Sequence, residues 1–343
     1  MKMGRKLTVA IALILCLTMA FAFAGCSSPE ATESTPAAES AAASQGTEET
    51  SAEGTLKIAA VMKNRSNPYY QKMEEGFKKA AEDFGITVDV FAMESDNDLD
   101  KELQVCNDLL NKDYDGMVLI PINGAAFGPF VKAANDKGLP IVNIDTQFDQ
   151  DSLDAVGAAY VTYVGSDDYS AGVLAAQELA KALGNQGDVA VIEGTPGSST
   201  ADNRKKGFND EIEKVNAAGG NIKVVASQPA NWDTNEAYEV FQNVIQANPN
   251  LAGVFACNDL MAVGVVNAAD AAGKLEQLKI ISIDMIPDAQ QLIKDGKLMA
   301  SISQATDDMA YISIEKMLDH INGKAVDKEY RTESKVFYKD DIA

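Results

Sequence analysis

The stretch LKIAAVMKNRSNPYYQK, residues 56–72, sets a short apolar run against a polar loop, an Asn-Pro step and two adjacent tyrosines. An apolar run of strand length followed by a helix start is the opening of a βαβ unit. Asn67 can cap the helix and Pro68 suits its first turn. Tyr70, Met73, Phe77, Ala80, Ala81 and Phe84 then recur at helical spacing on one face. The unit repeats along the chain. Further strand candidates are TVDVFAM, GMVLIPI, PIVNID, DVAVIEG, IKVVASQP, GVFACND, KIISIDM and MASISQ, with amphipathic stretches between them. That alternation predicts an α/β chain with parallel sheets. From Leu56 onward there are about 290 residues, more than one core usually organises, so two domains are expected.

The two halves resemble each other. PIVNID ends on Asp145, and KIISIDM places Asp284 after the same kind of apolar run. Open parallel sheets bind ligands beyond the carboxyl ends of their strands. A polar residue stands at nearly every such end: Lys63 and Asn67, Asp145, Ser166, Glu193, Asn231 with Trp232, Asn258, Asp284 and Gln304. Two sheets could share one ligand through these residues only by facing each other, as a two-lobed cleft.

The chain opens with MKMGRKLTVAIALILCLTMAFAFAGCSS, three cations before a long apolar run that ends at Gly25-Cys26. This is the layout of an export signal, residues 1–25, and it resembles a bacterial lipoprotein signal in which Cys26 becomes the lipidated first residue. An uncleaved membrane anchor is the other reading, and either one places the body outside the cytoplasm, tethered to the cell membrane. The following segment to residue 55 carries six glutamates and no basic residue. It has too little apolar surface to repay ordering and reads as a disordered acidic linker. The formal net charge is −22, and removing the three signal cations takes it to −25 (−22 − 3). So acidic a surface argues against nucleic acid or anionic lipid as a partner. Cys106 and Cys257 lie in apolar contexts and are expected buried and reduced.

From Leu56 to the end the chain resembles the type I periplasmic sugar-binding proteins, those of the ribose-binding type most of all. Eight motifs in order carry the resemblance: SNPYY, IVNIDTQ, YVGSDDYSAG, TADNRKKGF, ASQPANWD, VFACNDLMAVG, IISIDMIPD and ASISQ. It implies two doubly wound lobes joined by three crossings, near Ser166 and Asp167, near Gln304 and Ala305, and near Glu333. One lobe would comprise residues 56–166 and 305–333, the other 167–304 and 334–343. Carried over motif by motif, it implicates Asn67, Tyr69, Tyr70, Asp145, Ser166, Arg204, Trp232, Asn258, Asp284 and Gln304 as ligand contacts. It also implies an ABC permease with its ATPase as partner, a monomeric state, and no cofactor or metal.

These residue types suit a monosaccharide or polyol. Carboxylates, amides and the Arg204 fork pair with hydroxyls in fixed directions, and aromatic rings cover the apolar faces of a sugar. On spacing alone, Tyr70 also fits the core stripe of its helix. Asp145 and Asp284 also fit turn-capping positions, and Trp232 also fits partly buried structure. Two departures from the ribose type stand out. Thr146 occupies the place where arginine usually follows the first aspartate, and Lys63 replaces a small polar residue, as in some allose-binding relatives. A polyhydroxylated, uncharged ligand is expected, since Asp145 and Asp284 balance Lys63 and Arg204.

Other signals fail on inspection. DNDLDKE at 96–102 imitates a calcium loop, but its sixth position is Lys101 and its twelfth Asn107, so a polar turn and helix start are expected. GTPGSST at 194–200 lacks the lysine of a phosphate loop, leaving Ser198, Ser199 or Thr200 to cap a helix. His320 is the only histidine, which leaves triads and zinc sites without partners. A DNA-binding repressor of related fold would need a helix pair where the export signal stands. A ligand-sensing lipoprotein that feeds a receptor would share this cleft, with a sugar or a furanose-like signal as its ligand.

Overall fold

The computed structural model describes residues 55–342. The export signal, Cys26 and residues 27–54 of the acidic linker lie outside the described residues. Two six-stranded sheets organise the chain. The first runs in the order β11 (Glu329–Thr332), β5 (Tyr163–Ser166), β4 (Ile141–Ile144), β3 (Gly116–Leu119), β1 (Lys57–Met62) and β2 (Thr87–Ala92). The second runs β12 (Lys335–Phe337), β10 (Ala300–Ser303), β9 (Lys279–Ile283), β8 (Leu251–Ala256), β6 (Gln186–Glu193) and β7 (Asn221–Pro229). Every pairing is parallel except that of β10 with β12. The chain thus leaves the first sheet after β5, returns after β10, and passes over again between β11 and β12.

Helices α1 (Pro68–Phe84), α2 (Leu99–Leu109), α3 (Gly128–Asp136), α4 (Gln150–Val156) and α10 (Thr306–Ile321) accompany the first sheet. The second has α5 (Asp168–Ala182), α6 (Ser199–Ala217), α7 (Thr234–Ala247), α8 (Asp259–Ala271) and α9 (Pro287–Lys294). Central strands covered on both faces read as continuous apolar runs, and Ile58 through Met62 of β1 are all fully buried. The short edge strands β11 and β12 lack such a run. EYRT and KVF lie at the sheet edges, where one side meets solvent and polar residues are tolerated. Among the described residues, no helix is long and apolar enough to cross a membrane.

The capping of α1 is as the sequence predicts: Asn67 Oδ1 accepts from the Tyr69 amide at 3.0 Å, and Pro68 opens the helix. Tyr70, Met73, Phe77 and Ala80 are buried, but Phe84 is 36 % exposed. It lies at the last turn, beyond the sheet, and packs instead against the Tyr311 ring at 5.3 Å. Two glycines set how closely α5 and α6 approach. A Cβ on Gly172 would collide with the Arg204 carbonyl, and one on Gly207 with the Tyr169 carbonyl. Backbone contact between these helices presses Arg204 against the start of α5, with consequences for the cleft. Cys106 and Cys257 are free thiols with no exposure.

Candidate functional site

A narrow cavity of about 30 Å³ lies at the carboxyl ends of both sheets. It is lined by Lys63, Asn67, Tyr69, Tyr70, Asp96, Asp145, Thr200, Arg204, Trp232, Asn258, Asp284 and Gln304. Nine of the ten residues implicated as ligand contacts therefore converge there, together with Lys63. Ser166, the tenth, sits behind the lining at the end of β5, buried, and its hydroxyl donates to Gln304 Oε1.

On the first lobe, Tyr69 donates to Asp145 Oδ1 at 2.6 Å. Burial, reinforced by Asp145, pushes the Tyr69 phenol well above its ordinary pKa, so it stays protonated as a donor. Its ring meets Tyr70 edge-on, with centroids 5.1 Å apart. Lys63 Nζ donates to Thr146 Oγ1 at 2.6 Å and stands 4.0 Å from Asp145 Oδ2. Thr146 in turn donates to Asp145 Oδ2 at 3.2 Å. The two departures from the ribose type are thus one hydrogen-bonded unit.

On the second lobe, Arg204 donates from Nε to Asp168 Oδ1 at 2.9 Å and from Nη1 to the Cys257 carbonyl at 2.7 Å. Nη1 also lies 3.8 Å from Asp284 Oδ1. Burial works against the guanidinium charge, but Asp168 and Asp284 outweigh it and raise the Arg204 pKa. Asp168 itself is pushed up to about 6 by burial, against the pull of Arg204. Burial drives the Asp284 carboxyl well above the usual range, again opposed by Arg204, and Gln304 Nε2 donates to its Oδ1 at 2.6 Å. Trp232 lies 5.7 Å from the guanidinium and over Gly194, where any Cβ would run into the indole. Asn258 caps α8 through its Oδ1, which accepts from the Met261 amide at 2.9 Å, so its amide nitrogen is left for the cavity. Asn67 likewise caps α1 in the opposite lobe, with its side chain beside Asp96.

Backbone conformation marks the same place. Asp145 (φ 62°), Trp232 (φ 65°) and Asp284 (φ 129°) all have positive φ. Such geometry costs on the order of 1–3 kcal/mol per residue and gathers at functional sites. Neither aspartate caps a following helix: that of α4 is capped by Asp149, and the Ile286 cap position of α9 has no side-chain bond.

Two lining residues were not among the sequence candidates. Thr200 was expected to compete for a capping role. Instead the N-cap position of α6 falls on Ser198, which makes no side-chain cap bond, while Thr200 Oγ1 faces Thr146 Oγ1 across the lobes at 3.4 Å. Asp96 lies in the stretch dismissed as a calcium loop, where Asp98 caps α2 as a polar helix start should. Its position just past the end of β2 was the available signal. Among the described residues, no group of three or more metal-ligating side chains is assembled.

Residues 58–325 match the family model described as periplasmic binding protein domain. The chain belongs to the periplasmic binding proteins. The D-allose-binding periplasmic protein of Escherichia coli K12 is 34 % identical over 289 residues, covering 84 % of this chain and 92 % of the relative. The ribose import binding protein of Salmonella typhimurium LT2 is 31 % identical over 282 residues, covering 82 % and 90 %. Among solved structures, an Actinobacillus succinogenes 130z ABC transporter solute-binding protein with bound D-allose matches with a TM-score of 0.79. It is 33 % identical, and the match covers 84 % of this chain and 99 % of that one.

Proposed function

We propose that this periplasmic binding protein captures a monosaccharide or polyol between its two lobes and delivers it to an ABC-type importer. The observation that carries the reading is the convergence of polar residues from the strand ends of both sheets, with Tyr69, Tyr70 and Trp232, on one cavity. The names of the allose-binding and ribose-import relatives support the ligand class and the importer. Asp145, Asn67 and Lys63 would hold hydroxyls from one side, and Asp284, Asn258, Arg204 and Gln304 from the other, with the aromatic rings against the apolar faces of the sugar. Ser166 would act through Gln304.

The lobes would be residues 56–166 with 305–333 and 167–304 with 334–343, closing by hinge motion at the crossings. Binding energy then drives closure and no bond is made or broken, so the chain is not an enzyme. Cys26 would carry the lipid that holds a monomeric receptor at the outer face of the cell membrane, beside its permease and ATPase. A thermal-shift panel of pentoses, hexoses and polyols on residues 56–343, stripped of co-purified ligand, tests this. A ligand that binds only the folded state raises the melting temperature. A shift with one sugar or polyol is expected, and silence from the whole panel would overturn the reading.

A further inference from the structure

Asp96 stands outside the set of sugar contacts that the motifs supply, yet it lines the same cavity. Its Oδ2 accepts a long bond from Asn64 Nδ2, at 3.3 Å, the Asn67 side chain stands beside the carboxylate, and its Oδ1 is buried without a hydrogen-bond partner among the described residues. An ionised carboxylate can accept about four hydrogen bonds, and a buried acceptor left bare is costly. Burial raises its pKa above the ordinary carboxylate value, outweighing Lys63, Asn64 and Asn67, so its charge lacks the stabilisation that a further donor would supply.

The first lobe therefore offers two carboxylates on different flanks of the tyrosine pair. Asp145 is bonded to Tyr69, whereas Asp96 is the charged group that acts most strongly on Tyr70. The next residue, Asn97, meets Thr195 of the other lobe through side-chain oxygens 3.1 Å apart, which ties the Asp96 turn over the cavity. With Asp145 and Asp284 engaging ring hydroxyls, a ligand must carry one further donor to reach Asp96.

We propose that Asp96 is a specificity-determining residue that accepts a hydrogen bond from an exocyclic hydroxyl of the ligand, so that the site selects hexoses over the corresponding pentoses. This rests on the sugar-binding reading above. The free Oδ1, deep in the wall, then gains its partner only when the hydroxymethyl group is present.

The test uses pyranoses matched in ring configuration and differing only in that group: D-allose with D-ribose, D-glucose with D-xylose, and D-galactose with L-arabinose. Dissociation constants are measured calorimetrically for the wild type, Asp96→Asn and Asp96→Ala, with melting temperatures as the folding control. In the pair that binds, the wild type should prefer the hexose by roughly 10-fold or more, the value of one hydrogen bond to a charged acceptor. Asp96→Ala should collapse that ratio toward one. Equal affinity of the wild type for both members, or equal losses of both in the variants, would overturn the inference while leaving the sugar reading intact. No binding by any member to folded wild type would overturn both.

Discussion

Lys63 Nζ donates to Thr146 Oγ1 at 2.6 Å, joining the two positions at which this chain departs from the ribose type. The lysine reaches from the end of β1 to the residue after Asp145, so the cationic group is kept while its strand of origin changes. An arginine introduced at 146 would meet the ammonium already there. Thr146→Arg should weaken binding of the preferred sugar more than 10-fold, and Lys63→Ser with Thr146→Arg should regain much of the loss. Side chains in one hydrogen-bonded network couple by roughly 0.5–3 kcal/mol. A calorimetric double-mutant cycle measures the coupling, and simple additivity would contradict it.

Arg204 and Asp168 form a buried ion pair, with side chains 3 % and 9 % exposed. Removing one partner strands the other charge away from water, which typically costs about 3–5 kcal/mol. Arg204→Met should lose stability of that order in urea denaturation at pH 7. Adding Asp168→Asn should recover part of it. A small loss in the single variant would mean that Asp168 already binds a proton there.

Gly194 leaves no room for a side chain beneath the Trp232 indole. Gly194→Ala should displace the ring and lower sugar affinity by at least 10-fold. Trp232 lies at the cleft and not in the sheet core, so the melting temperature should move little. Tryptophan fluorescence reports on this directly, because Trp232 is the only tryptophan in the chain.

Glu102 is buried, its Oε1 lacks a partner, and burial pushes its pKa up to about 8. The folded value lies above the unfolded one, so this group's contribution to stability is complete below about pH 4.5 and is lost as pH rises through about 8. Glu102→Gln removes the titration. Its stability relative to wild type should rise by on the order of 2–4 kcal/mol between pH 5 and pH 9, measured in parallel urea melts. A flat difference would show that Glu102 is not so shifted.

The parts of the fold legible in the sequence are those dictated by burial. Strands covered on both faces carry unbroken apolar runs, and the Asn67-Pro68 start of α1 has a local chemical cause. Edge strands β11 and β12 were not legible, because EYRT and KVF owe their pairing to neighbours distant in the chain. In the site, residues just past apolar runs, such as Asp145, Asn258 and Asp284, could be read from position. Asp96 shares that signal, four residues past the end of β2, but its stretch also reads as a helix start, and Thr200 carries no such signal until α6 is set against the first lobe. The positive φ of Asp145 and Asp284 has no sequence signature either, aspartate being ordinary at strand ends.

The account stands most directly on calorimetric titration of ligand-stripped residues 56–343, wild type and Asp284→Ala side by side, with the sugar that gives the largest thermal shift. Asp284 lies between Gln304 and Arg204 at the cavity wall. Its loss leaves polar groups unpaired in a closed cleft, so the variant should bind more weakly by about 2–5 kcal/mol. Saturable one-to-one binding by the wild type, cut by that amount in the variant, is the predicted result. Equal affinities, within a few tenths of a kcal/mol, would place the sugar somewhere other than the cleft between the lobes.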